Sequence, residues 1–157
     1  MTRRDFRIVA WLALGLLAAP GAAFAFSTNS TPEPQQVDLY KQAQKLVEDE
    51  KYAKAIPLLQ KSIQEKGEYA DALNLLGYSN RKLGDKAKAM TYYTKALNLE
   101  PTHLGANEYL GELYLELNDL PKAEQRLAIL KSACGDCEEY EDLAEEIADY
   151  KKAHGLS

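Results

Sequence analysis

Chemistry-bearing residues are scarce in this 157-residue chain: it has two cysteines and two histidines, and His103 and His154 are isolated. A structural zinc needs about four Cys or His ligands at defined spacing, so no such site can be assembled. There is no glycine-rich phosphate loop, no His-Glu-x-x-His pair and no plausible Ser-His-Asp set, which leaves phosphate cradling, zinc-protease chemistry and triad hydrolysis without residues to carry them. Positive charge is short as well, with 19 Lys and Arg against 24 Asp and Glu. Nucleic acid is therefore not an expected partner, because phosphate binding needs a concentrated basic face. The expectation is a chain that binds and does not catalyse, without metal or cofactor.

The apolar run Ile8 to Ala19 is too short for a membrane span, which takes about 20 residues. Arg3, Arg4 and Arg7 precede it, and Pro20-Gly21 and the small-residue site Ala23-Phe24-Ala25 follow. That order is a secretory signal, so residues 1–25 are expected to be removed, leaving no stable span. Thr2-Arg3-Arg4-Asp5-Phe6 also resembles the twin-arginine export motif, although Arg7 stands where that motif usually has an apolar residue. Both the general secretory and the twin-arginine route predict export, and the bacterial style of the signal points to the periplasm. Ser27 to Gln36 has two prolines and nothing apolar to bury, so 26–36 is expected to be a flexible leader.

Without residues 1–25 the chain has 16 basic and 23 acidic residues, a net charge of about −7. Eight of the acids follow Cys134, against Lys151 and Lys152. They read as a solvated helix face, with a docking patch for a basic partner as the other reading.

Small residues recur every 34 positions at two phases: Ala43, Gly77 and Gly111, and Ala55, Ala89 and Ala123. Two helices that approach closely in each of several copied units would need this pattern. Leu59, Tyr93 and Leu127 share a third phase, and Lys54, Lys88 and Lys122 a fourth. Breaks at Leu83-Gly84-Asp85 and Leu117-Asn118-Asp119 pair a helix stop with an N-cap, and Pro121 suits the first turn of the next helix. In the first copy Glu50-Lys51 replaces the Gly-Asp turn and Pro57 falls inside the second helix, which predicts a bend or a late start.

From Gln36 to Cys137 the chain resembles the tetratricopeptide repeat family. Leu110, Gly111 and Tyr114 meet its Leu-Gly-x-x-Tyr, Ala89 and Tyr93 its small residue plus aromatic, and Pro101 its closing proline. The resemblance implies an all-α superhelix of three helix-turn-helix repeats, 37–69, 70–103 and 104–137. Residues 138–157 would follow as a capping helix and tail, with Tyr140, Leu143, Ala144, Ile147 and Tyr150 as its apolar stripe.

Cys134 and Cys137 stand at the junction with that cap. Haem attachment would need His where Glu138 stands, and a thioredoxin-like motif would need a βαβ context and fewer acids than Asp136, Glu138 and Glu139. An exported chain favours a disulfide, closing a short loop that fixes the angle of the cap. A thiol-disulfide accessory protein using the same pair is the alternative function.

The family resemblance implies that the first helix of each repeat lines a concave surface. The positions carried over are Val37, Tyr40, Gln44, Val47 and Glu48; Asp71, Asn74, Tyr78, Arg81 and Lys82; and Gly105, Glu108, Glu112, Leu115 and Glu116. A partner-binding groove is expected at Tyr40, Gln44, Val47, Asn74, Tyr78, Arg81, Lys82, Glu108, Glu112 and Leu115, whose tyrosines and amides suit a peptide. The family's carboxylate clamp for chaperone tails is absent, its Lys, Asn, Asn, Lys and Arg being Tyr40, Gln44, Leu75, Gly105 and Tyr109 here. The expected partner is a protein or peptide of another kind, bound by an adaptor or assembly factor of the cell envelope. Self-association, with the groove filled by a second copy or by the leader, is a further alternative.

Overall fold

The computed structural model describes residues 38–156. The expected signal, the leader and Val37 lie outside the described residues. Seven helices and no strand occur among the described residues: α1 (Leu39–Glu48), α2 (Tyr52–Lys66), α3 (Ala70–Lys82), α4 (Lys86–Leu99), α5 (Leu104–Glu116), α6 (Leu120–Ala133) and α7 (Glu138–Ala153). None of them is long and apolar enough to cross a membrane.

The 34-residue spacing is visible in the helix starts. α2, α4 and α6 begin at Tyr52, Lys86 and Leu120, while α3, α5 and α7 begin at Ala70, Leu104 and Glu138. Between the helices of each pair one residue takes the left-handed backbone that ends a helix, at Glu50, Gly84 and Asn118 with φ of 57°, 85° and 60°. The Asp85 and Asp119 side chains then accept from the backbone N–H of Lys88 and Lys122, three residues on. Those lysines return their Nζ to the same carboxylates, which accounts for the lysine phase in the second and third copies. In the first copy Lys51 stands at the cap and makes no such bond.

Pro57 does not delay α2, which starts at the same phase as α4 and α6 and continues through the proline. The carbonyl that Pro57 deprives of a partner belongs to Ala53, and both residues are exposed, so that oxygen faces solvent instead of a dry core.

Small residues meet large ones at the helix crossings. A Cβ added to Gly77 would lie 2.5 Å from two ring carbons of Tyr93, whose side chain is wholly buried. In the first copy the equivalent pair is Ala43 and Leu59, a larger residue with a smaller partner, and both are fully buried in one cluster. In the third copy Gly111 closes on Leu143 of α7, so the seventh helix lies tightly against α5.

The odd helices touch one another along the series α1, α3, α5, α7, whereas the even helices touch only odd ones. Helices that close up on one side and spread on the other form a curved stack, with the odd helices on the inside of the curve. α7 therefore covers the end of the stack through Leu143 and Ile147 and also takes the place in the curve that a fourth repeat's first helix would take.

Candidate binding groove

Three open depressions run along the odd helices. One is aromatic, lined by Val47 and Glu48 of α1, Tyr52 of α2, Leu75 and Tyr78 of α3 and Tyr109 of α5. Its rings form a series, with centroids 5.9 Å apart between Tyr52 and Tyr78 and 4.7 Å apart between Tyr78 and Tyr109. Lys82 places its ammonium 5.2 Å from the Tyr78 ring centroid.

The next depression joins four helices: Tyr40 and Gln44 of α1, Asn74 and Leu75 of α3, Gly105, Glu108 and Tyr109 of α5, and Glu138, Glu139 and Asp142 of α7. At its rim His103 caps α5, its Nδ1 accepting from the Ala106 N–H, which leaves Nε2–H to donate to Asp71 at 3.1 Å. All five places at which a carboxylate clamp would need its basic and amide residues line this one depression, occupied by Tyr40, Gln44, Leu75, Gly105 and Tyr109.

The last depression holds Arg81, Glu112, Leu115 and Glu116 with Glu146, Asp149 and Tyr150 of α7. Arg81 is largely buried and bound to Glu112 and, at 2.8 Å, to Glu116, while Lys86 reaches Glu116 at 2.9 Å. Burial opposes the guanidinium charge, but these carboxylates outweigh it and hold the Arg81 pKa above its ordinary value. Arg81, one of the expected groove residues, thus ties α3 to α5.

The structure brings nine of the ten expected groove residues into these three depressions; Lys82 is exposed against Tyr78 and lines none of them. Of the acids expected on a solvated face or a docking patch, Glu138, Glu139, Asp142, Glu146 and Asp149 line the groove. For all of them but Glu138 the repeat period carries the signal. Adding 34 to the third copy's Gly105, Glu108, Glu112, Leu115 and Glu116 lands on Glu139, Asp142, Glu146, Asp149 and Tyr150.

Burial makes the carboxyl of Glu108 hard to ionise, and Glu112, Asp142 and Glu139 add to the effect, so that its pKa is pushed up to about 8. The Tyr40 hydroxyl is raised to about 12, first by burial and then by Asp71. The Tyr109 hydroxyl is raised too, by burial and by Glu108. This is an electronegative, tyrosine-walled surface. Among the described residues no group of His, Cys, Asp or Glu is arranged to hold a metal ion. Cys134 and Cys137 are joined in a disulfide immediately before α7, which has no side-chain cap of its own.

The tetratricopeptide repeat model matches residues 80–147, a span that runs into α7. The first tetratricopeptide domain of Spaghetti (RPAP3), solved with an HSP90 peptide, superposes with a TM-score of 0.65 at 17% identity, covering 74% of this chain and 90% of that one. Residues 80–147 thus match the tetratricopeptide repeat, and the described residues have the tetratricopeptide superhelical fold. The type III secretion translocator chaperone SycD of Yersinia enterocolitica gives a TM-score of 0.65 at 16% identity, over 75% of this chain and 84% of that one. The rhomboid protease GluP of Bacillus subtilis is 29% identical over 103 residues, 66% of this chain. The chain spans about a fifth of that curated relative's length.

Proposed function

We propose that this tetratricopeptide-repeat protein is an exported, non-catalytic binding module that holds a segment of a partner protein in its groove, as an adaptor or assembly factor of the bacterial cell envelope. The observation that carries the reading is the row of open depressions along α1, α3, α5 and α7, walled by tyrosines and by polar side chains. Tyrosine offers wide contact area at low entropic cost, and amides suit a peptide backbone. The fold is also one in which solved relatives hold peptides, as the RPAP3 domain holds one from HSP90. Export rests on the order of charge, apolar run and small-residue site in residues 1–25.

A photo-reactive amino acid at Gln44 or Tyr78, in the groove, should cross-link the protein to one partner in intact cells, while the same group at Thr91, exposed on α4, should not. Equal adducts from both faces would reject the groove as the binding surface. Cell fractionation tests export: the mature chain should begin at Phe26 and leave with the periplasmic fraction.

A further inference from the structure

In the depression between α1, α3, α5 and α7 a buried carboxyl lacks a counter-charge and a buried amide oxygen lacks a hydrogen-bond partner. Glu108 is 6% exposed and forms no ion pair with a lysine or arginine among the described residues; the side chain it meets is another acid, Glu112. Asn74, 7% exposed, has a buried amide oxygen without a partner. Buried acceptors are ordinarily satisfied, and an orphaned one is costly. These two come from neighbouring helices and open into the same depression.

The contrast with the adjoining carboxylates sharpens the point. Glu112 and Glu116, on the same helix as Glu108, are both neutralised by Arg81, with Lys86 assisting. No lysine or arginine lines the depression of Glu108, whereas Glu138, Glu139 and Asp142 of α7 face it. The cation missing from this part of the groove has to come from elsewhere. Tyr40 and Tyr109 also line it, giving an alkyl stem two rings to lie against and a cationic head two π faces.

We propose that this depression is the receptor for a lysine or arginine side chain presented by a basic segment of the partner, with Glu108 as the carboxyl that releases its proton to solvent and ionises against that cation, and the Asn74 amide oxygen as the second acceptor. The proposal rests on the groove being a binding site and adds what it selects. Charge complementarity decides the occupant: the chain's own residues 27–36 contain no lysine or arginine and one glutamate, so they do not supply the cation. The same electronegativity repels acidic tails such as the SRMEEVD peptide of the RPAP3 complex.

A positional-scanning library of nonapeptides, passed over the immobilised protein, tests this. Retained peptides should be enriched about tenfold in lysine or arginine at one position, with citrulline and norleucine rejected there. E108Q, isosteric with the protonated acid, should abolish that enrichment, while Glu65→Gln, at an exposed acid of α2 outside the groove, should keep it. D142N is a second variant on a different helix and should reduce the enrichment. Retention without a preference for basic residues, or a preference that E108Q leaves intact, overturns this inference and leaves the binding function standing. Failure to retain any peptide overturns both.

Discussion

The crossing of Gly77 and Tyr93 gives the sharpest test of how the repeat is held together. In Gly77→Ala the new methyl would stand 2.5 Å from two carbons of a ring that is fully enclosed. Overpacking of this kind costs about 1–3 kcal/mol, and the absence of slack around Tyr93 puts it near the top of that range. Gly77 has ordinary helical φ, so alanine regains about 1 kcal/mol of helix propensity. The net loss should be about 2 kcal/mol, which for a domain of this size lowers Tm by about 8 °C. The first copy suggests the remedy, because there Ala43 accompanies Leu59 at the same two phases. Tyr93→Leu alone leaves a cavity but also removes a buried hydroxyl that has no partner. In the double variant the alanine methyl fills part of that cavity, so the two costs should fall short of their sum by about 1.5 kcal/mol or more. Urea unfolding of the four proteins measures that coupling. Costs that add to within about 0.5 kcal/mol would refute the claim that the small-residue phase exists for this crossing.

Further outcomes follow from particular residues. Glu50→Gly should relieve the left-handed strain at φ 57°, and Lys51→Asp should restore the missing cap of α2. Each change is expected to stabilise by about 1 kcal/mol in denaturant titration, and a loss in either would contradict the repeat alignment. Glu108, with its folded pKa raised from 4.5 to about 8, keeps a proton in the folded chain that the unfolded chain gives up, so stability should fall as pH rises from about 4.5 to 8. Half of that shift would amount to about 2 kcal/mol, and Glu108→Gln should flatten that part of the pH profile measured by thermal melting. Cys137→Ser opens a four-residue loop worth roughly 2 kcal/mol. Hydrogen exchange should then quicken in α7 while α3 and α4 stay protected, and collapse of the whole stack would show that the bond does more than anchor the cap.

Much of the architecture could be read from the chain alone, because a copied unit writes its period directly into residue size. Ala43, Gly77 and Gly111, and Ala55, Ala89 and Ala123, mark where helices cross, and the left-handed position and its aspartate cap mark where one helix ends and the next starts. Steric limits of this kind act locally and tolerate few residue types, so they survive in sequence. The course of α2 through Pro57 was less legible. It depended on whether the freed Ala53 carbonyl faced solvent, which only the packing of α2 against its neighbours settles.

The groove divides in the same way. Nine of the residues that the family resemblance implied for the groove line these depressions. Which of those residues is free to meet a partner does not follow from phase. Arg81 and Glu108 occupy inward positions in adjacent copies, yet Arg81 is bound to Glu112 and Glu116 while Glu108 has no counter-charge. Pairing across helices depends on side-chain reach between residues about 30 positions apart, and no local pattern encodes it. The sequence by itself determined the repeat and its turns, because these are constraints on backbone and size, while the inward phase came with the family resemblance. Only the tertiary structure decided that α7's acids join the groove and that its charge is unbalanced beside Glu108, because charge balance is a property of the assembled surface.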